Sequence, residues 1–149
     1  MRLRTIAPIV KFRAELPAWM EPKGVAFIEI DARPAGEVNT AFMAARDEVV
    51  LAHKVSGTDH DLETVEGIRA NRAFGAAWIG AIYDTCVIGW RTNLIDDATG
   101  NALATDRDTF LDLADVRIAD VSKVFLDFQK AIIDAGAKVI ADTEATTKN

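Results

Sequence analysis

Residues 10–32 read VKFRAELPAWMEPKGVAFIEIDA, and this stretch decides the fold class. Val10, Phe12, Ala14 and Leu16 alternate with Lys11, Arg13 and Glu15, the period of two that a strand with one buried face requires. A second strand is expected from Val25 to Ala32. Pro17 to Gly24 lies between them, and its two prolines and its glycine mark it as a loop. The spacing therefore predicts an N-terminal antiparallel β-hairpin, with Trp19 and Met20 carried in its loop as candidates for contact.

Downstream of Pro34 and Gly36 the period lengthens. Val38, Phe42, Ala45 and Val49 recur at helical spacing and Asn39 stands where it can cap the first turn, which predicts a helix from about Thr40 to Lys54. Thr58 and Asp61 have the form of a capping box, opening a second helix that carries Leu62, Val65 and Ile68 and continues to Cys86, with Gly75 and Gly80 as kink points. Within it, FGAAWIGAIYDTCVIGW (residues 74–90) looks apolar enough for a membrane, but it is short of the roughly 20 residues a spanning helix needs and carries Asp84. A core helix running into a strand is the better reading. Over Val87 to Thr105 a tight turn at Asp96 to Gly100 is expected between two short extended pieces, Gly100 supplying the positive φ. Thr105 and Asp108 form a second capping-box pattern before a short helix through Phe110, Leu111 and Leu113. A last helix is expected from about Asp120 to Ala135, with Val121, Val124, Phe125, Phe128, Ile132 and Ala135 on one face and Gly136 as its stop or a weak point. The sum is a mostly helical α+β domain over residues 1–140: a β-hairpin, then four helices with a small hairpin inserted before the last two, and a polar, frayed tail over 141–149.

The composition suits such a domain. Half of the 149 residues are apolar, about a quarter are charged, and one core of this size needs no disulfide or metal. A net charge of -6 argues against a protein whose task is gripping a phosphate backbone. Arg2, Arg4, Lys11, Arg13, Arg69 and Arg72 are interleaved with apolar residues and read as solvated faces, so no nucleic-acid partner is expected. The apolar run near the N-terminus is too short and too charged for a signal-peptide core, and an intracellular, membrane-free protein is expected.

No set of side chains reads as a catalytic or metal centre. His53 and His60 flank a polar loop with Asp59 and Asp61, but a metal needs three or four converging ligands and the spacing places no pair one helical turn apart. The cluster from Asp96 to Asn101 fails the calcium-loop pattern, which would want glycine sixth and glutamate twelfth, where Asn101 and Arg107 stand. Cys86, the only cysteine, sits in an apolar run and reads as a small core residue. Phosphate-loop, nucleophile-elbow and dinucleotide patterns are absent from the sequence. Neither catalysis, cofactor nor metal is expected. What remains is amphipathic helices and large aromatics, most of them core; Trp19, Phe74, Trp78, Phe125 and Phe128 are the set taken as partner-facing, in a groove for a partner's amphipathic helix. Self-association through apolar helix faces is expected as well.

The order of elements carries a resemblance. The run YDTCVIGWRTNLIDDATGNALATDRDTFLDL (residues 83–113) resembles the second half of phage tail assembly chaperones, through Tyr83, Gly89, Trp90, Asp96, Asp97, Gly100, Thr105, Phe110 and Leu113. Upstream, two strands followed by Asn39, Thr40, Ala41 and Phe42 resemble the way those proteins enter their first helix. The resemblance implies a chaperone in the cytoplasm of the bacterial host that coats the tape measure protein of a phage or prophage tail, helps recruit tail tube subunits and is absent from the mature virion. Two other readings stand beside it: a small structural protein of the tail or neck retained in the virion, and a small hydrolase using His53, His60 and Asp61.

Overall fold

The computed structural model describes residues 8–21, 24–55, 63–116 and 118–148, without the side chains of 17–21, 54, 55 and 146–148. The architecture is α+β, as the patterning predicts. Strands β1 (Val10–Glu21) and β2 (Gly24–Ala32) form the N-terminal antiparallel hairpin. Ala26, Ile28, Ile30 and Ala32 on the inner face of β2 are fully buried, while Phe27, Glu29 and Asp31 on its other face are only partly so. That is the alternation of a sheet with one side on the core.

The hairpin is longer than the punctuation suggested. Leu16 pairs with Ala26 but Met20 pairs with Val25, so three extra residues, 17–19, are accommodated on β1 without ending it. Pro17 falls inside this irregularity on an edge strand, where its missing N–H costs no ladder bond. The residues that turn the chain between Glu21 and Gly24 lie outside the described ones.

Helix α1 (Thr40–Val55) starts where Asn39 places it, since the Asn39 side-chain carbonyl accepts from the Phe42 N–H at 3.0 Å. Helix α2 (Val65–Cys86) runs as one helix through Gly75 and Gly80 and is capped by Thr64, whose hydroxyl accepts from the Gly67 N–H at 3.0 Å. The pair Thr58 and Asp61, expected to open it, lies outside the described residues, as does Leu62. Strand β3 (Val87–Thr92) follows α2 without a loop and pairs with β2, so the sheet has three strands in the order β1-β2-β3 with the α1–α2 helical hairpin inserted between β2 and β3. This strand was expected only as an arm of a small hairpin. Its partner is 60 residues away in sequence at Ile30 and Trp90, a distance that local patterning does not see. Asn93 then extends the pairing, accepting from the Phe27 N–H at 2.9 Å and donating to the Val25 carbonyl at 3.1 Å.

The small hairpin is present as β4 (Ile95–Asp96) and β5 (Asn101–Ala102), with Gly100 at φ +70 in the turn. Helix α3 (Arg107–Asp115) is capped one residue later than the sequence suggested: Asp106, not Thr105, accepts from the Thr109 N–H at 2.9 Å. Helix α4 (Ala119–Lys148) does not stop at Gly136 and carries the helix into the segment expected to fray. Gly136 is buried against the β2–α1 connection, where a β-carbon would stand 1.7 Å from the Ala35 carbonyl oxygen. The glycine serves close approach of two backbones, a demand that comes from across the fold.

Phe110 is the hub of the core. Its ring meets Tyr83 at 5.0 Å, Phe125 at 5.2 Å, Trp90 at 5.6 Å and Phe128 at 6.4 Å, tying α2, β3 and α4 to the short helix α3. Phe12 of β1 in turn meets Phe128 edge-on at 5.6 Å, so one continuous apolar cluster joins the sheet's inner face to α3 and α4. Burying rings of this size contributes on the order of 2–3 kcal/mol each before entropy is charged against it.

Candidate protein-binding groove

The expected partner-facing residues divide. Phe125 and Phe128 are 3% and 1% exposed and belong to the core, with only an edge of Phe125 reaching a groove between α2, α3 and α4. The helical period put them on the buried face of α4, and that face is already filled by Phe12 and Phe110. Phe74 and Trp78 are half-buried in an aromatic row between α1 and α2, in which Phe42 meets Trp78 at 5.9 Å, Trp78 stacks on Phe74 at 6.3 Å and His53 stands edge-on to Phe74 at 5.3 Å. Trp19 lies in β1, with its side chain outside the described residues.

The residues that carry the family resemblance are scaffold. Tyr83 and Trp90 close around Phe110, and the Trp90 indole donates to the Asp106 carbonyl at 3.2 Å. Asp97 and Gly100 belong to the exposed β4–β5 turn, which Asp96 organises through its side chain, accepting from the Ala98 N–H at 2.9 Å, and its carbonyl, accepting from Gly100 at 2.8 Å. Asn39 does the most. Besides capping α1 it donates to the Pro34 carbonyl at 3.1 Å and the Thr85 carbonyl at 3.0 Å, and so fastens the start of α1 to the end of α2.

An open groove of about 310 Å³ lies between α2, α3 and α4. Gly75, Ala76 and Ile79 form its α2 wall, Leu111 and Ala114 its α3 wall, and Phe125 and Leu126 its α4 wall. The α2 wall is low at Gly75 and Ala76, where a β-carbon added at Gly75 would meet nothing within 4 Å. Polar groups stand around the apolar floor, with Arg72 and Asp115 4.0 Å apart at one side and Ser122 and Gln129 on α4. Gln129 is held by the Trp78 indole N–H at 3.0 Å, a bridge from α2 to α4. Arg107 braces the other end of α3, its guanidinium donating to both Asp84 carboxylate oxygens at 2.8 and 3.0 Å, an arrangement that raises its already high pKa further. Apolar surface continues past the groove on both long helices. Leu126 is 65% exposed and Ile133, seven residues on, 48%, while Ile68 and Val65 extend the α2 side. Two apolar residues seven apart and off the buried face of α4 were the available signal, and the strength of the buried stripe masked it.

His53 is in α1 against Phe74, and His60 and Asp61 lie outside the described residues. Cys86 is fully buried; desolvation pushes its thiol above the ordinary value, with Thr85 and Arg33 opposing, so a reactive thiolate is disfavoured. Among the described residues no three His, Cys, Asp or Glu side chains come together to hold a metal ion, and no helix is long and apolar enough to cross a membrane. Compared with protein-family models, with characterised proteins and with solved structures, the chain matches none.

Proposed function

We propose that this chain is a tail assembly chaperone of a phage or prophage, a binding protein without catalysis that holds an amphipathic helix of the tape measure protein and helps bring tail tube subunits to it. The observation that carries the reading is the groove between α2, α3 and α4, apolar on its floor, walled by small residues on α2 and ringed by polar ones. Helix-in-groove recognition uses this form: anchors spaced at i, i+3, i+4 and i+7 sink into the floor while the rim bonds the partner's polar flank. A tape measure helix that would otherwise expose an apolar stripe gains cover there. The order of elements around Asn39 and between Tyr83 and Leu113 supports the same family, and on this reading the protein acts in the host cytoplasm and leaves before the virion matures.

Co-expression tests it. The tape measure protein is expected to become soluble with the wild-type chain and to precipitate with Ala76→Trp, which fills the groove from an exposed helix position. Equal precipitation with and without wild type removes the reading, and recovery of the chain in purified particles favours a structural tail protein instead.

A further inference from the structure

Among the described residues β1 has a paired strand on one side only. Val10 to Leu16 keep an unbroken register with β2 before the irregularity that follows Leu16, so the outer edge of these seven residues offers a regular row of backbone donors and acceptors. Helix α4 does not close against the end of this edge: an open cleft of about 390 Å³ lies between Ala14, Glu15 and Leu16 of β1 and Asp120, Lys123, Val124 and Asp127 of α4. Phe12 and Ala14 are only half-buried, whereas Ile28 and Ile30 beside them on β2 are completely buried.

We propose that a second copy of this chain pairs antiparallel with β1 about a two-fold axis at Arg13, joining two three-stranded sheets into one. In an isologous pair each contact occurs twice. This axis sets Lys11 of one copy opposite Glu15 of the other, Phe12 opposite Ala14, and Val10 opposite Leu16. Opposite charges meet on the outer face, and on the inner face a large residue meets a small one and aliphatic meets aliphatic, the combinations that stabilise cross-strand pairs. The two neighbouring registers fit less well, one for its charges and one for its proline. An axis at Phe12 sets Lys11 against Arg13, and an axis at Ala14, although it sets Arg13 opposite Glu15, brings Pro17 into the ladder opposite Lys11 and shortens the regular pairing. Arg13 faces its own counterpart, but each guanidinium is paired with Glu29 of its own chain and lies 4.4 Å over the Phe27 ring. The contact differs from association through helix faces, and it leaves the groove between α2, α3 and α4 free.

Sedimentation equilibrium of the full chain tests it. A reversible monomer–dimer equilibrium is expected below about 300 µM, within reach of an interface of this modest size. Lys11→Glu sets like charges opposite twice per dimer and is expected to raise the dissociation constant about tenfold, and Lys11→Glu with Glu15→Lys to restore it to within about twofold. Far-UV circular dichroism checks that the variants stay folded, and Glu15→Lys alone carries the same test if Lys11→Glu does not. A monomer at every concentration, a dimer indifferent to Lys11→Glu, or a double variant that fails to recover overturns the proposal. Because the readout is self-association, its failure leaves binding of the tape measure protein in the groove untouched.

Discussion

The carbonyl oxygen of Ala35 stands 1.7 Å from where a β-carbon on Gly136 would have to be, and the Ala35 N–H donates to the Ile132 carbonyl at 3.0 Å one turn earlier on the same helix. Helix α4 is thus fastened to the β2–α1 connection backbone to backbone. Gly136→Ala is expected to lower unfolding free energy by about 3 kcal/mol or more, because the obstructing atom is backbone and cannot rotate away. Gly75→Ala, in a helix interior with open space around it, is the control and is expected to raise stability by up to about 1 kcal/mol. Urea denaturation of the two variants checks both, and equal stabilities would refute the contact.

Asn39 uses its amide as acceptor and donor at once, so a near-isostere separates the two roles. Asn39→Asp keeps the cap on Phe42 but turns a carboxylate toward the Pro34 and Thr85 carbonyls, and is expected to destabilise the fold by about 2 kcal/mol at neutral pH. Protonating the new carboxyl restores a donor, so the deficit against wild type should shrink in acid. Thermal melts at neutral and acidic pH measure this, and a deficit independent of pH would count against the two carbonyl bonds.

Neighbouring apolar residues on α4 should respond in opposite ways. Phe128→Glu places a charge in the aromatic cluster at 1% exposure and is expected to abolish folding, whereas Leu126→Glu, at 65% exposure, is expected to change stability by less than about 0.5 kcal/mol and to abolish rescue of the tape measure protein. Circular dichroism and the co-expression assay read the two outcomes separately. Full binding by folded Leu126→Glu would remove α4 from the groove's contact surface.

Asp106 supplies a pH-dependent contribution of known sign. The Thr109 N–H and hydroxyl hold its carboxylate below the usual range, so the folded state favours the ionised form more than the unfolded state does. Its stabilisation is present above the unfolded carboxylate pKa and is lost as pH falls through the lower folded value. Asp106→Asn retains a capping oxygen without the charge, and its melting temperature should converge with wild type as the pH is lowered through that window. Parallel curves throughout would show that the cap is not titrating.

Alternation in residues 10–16 and 25–32 and helical spacing around Phe42, Ile68 and Phe128 were enough to place the hairpin and the four helices, and the buried faces of β2 and α4, because those patterns are imposed by local geometry, whereas Val65 and Ile68 of α2 are left exposed. The Asn39 cap and the Gly100 turn were legible for the same reason: each is satisfied within a few residues. Other features depend on partners far away in the chain. Strand β3 joins the sheet because β2 lies beside it, Gly136 continues a helix because Ala35 presses on it, and Pro17 is tolerated in β1 because the irregularity and the free edge ask nothing of its nitrogen. The candidate groove belongs to this second kind. Sequence pointed to the largest aromatics, but folding consumes Phe125 and Phe128 in the core and leaves Gly75, Ala76 and Leu126 at the surface, since which apolar residue stays exposed is settled only when three helices have found their distances from one another.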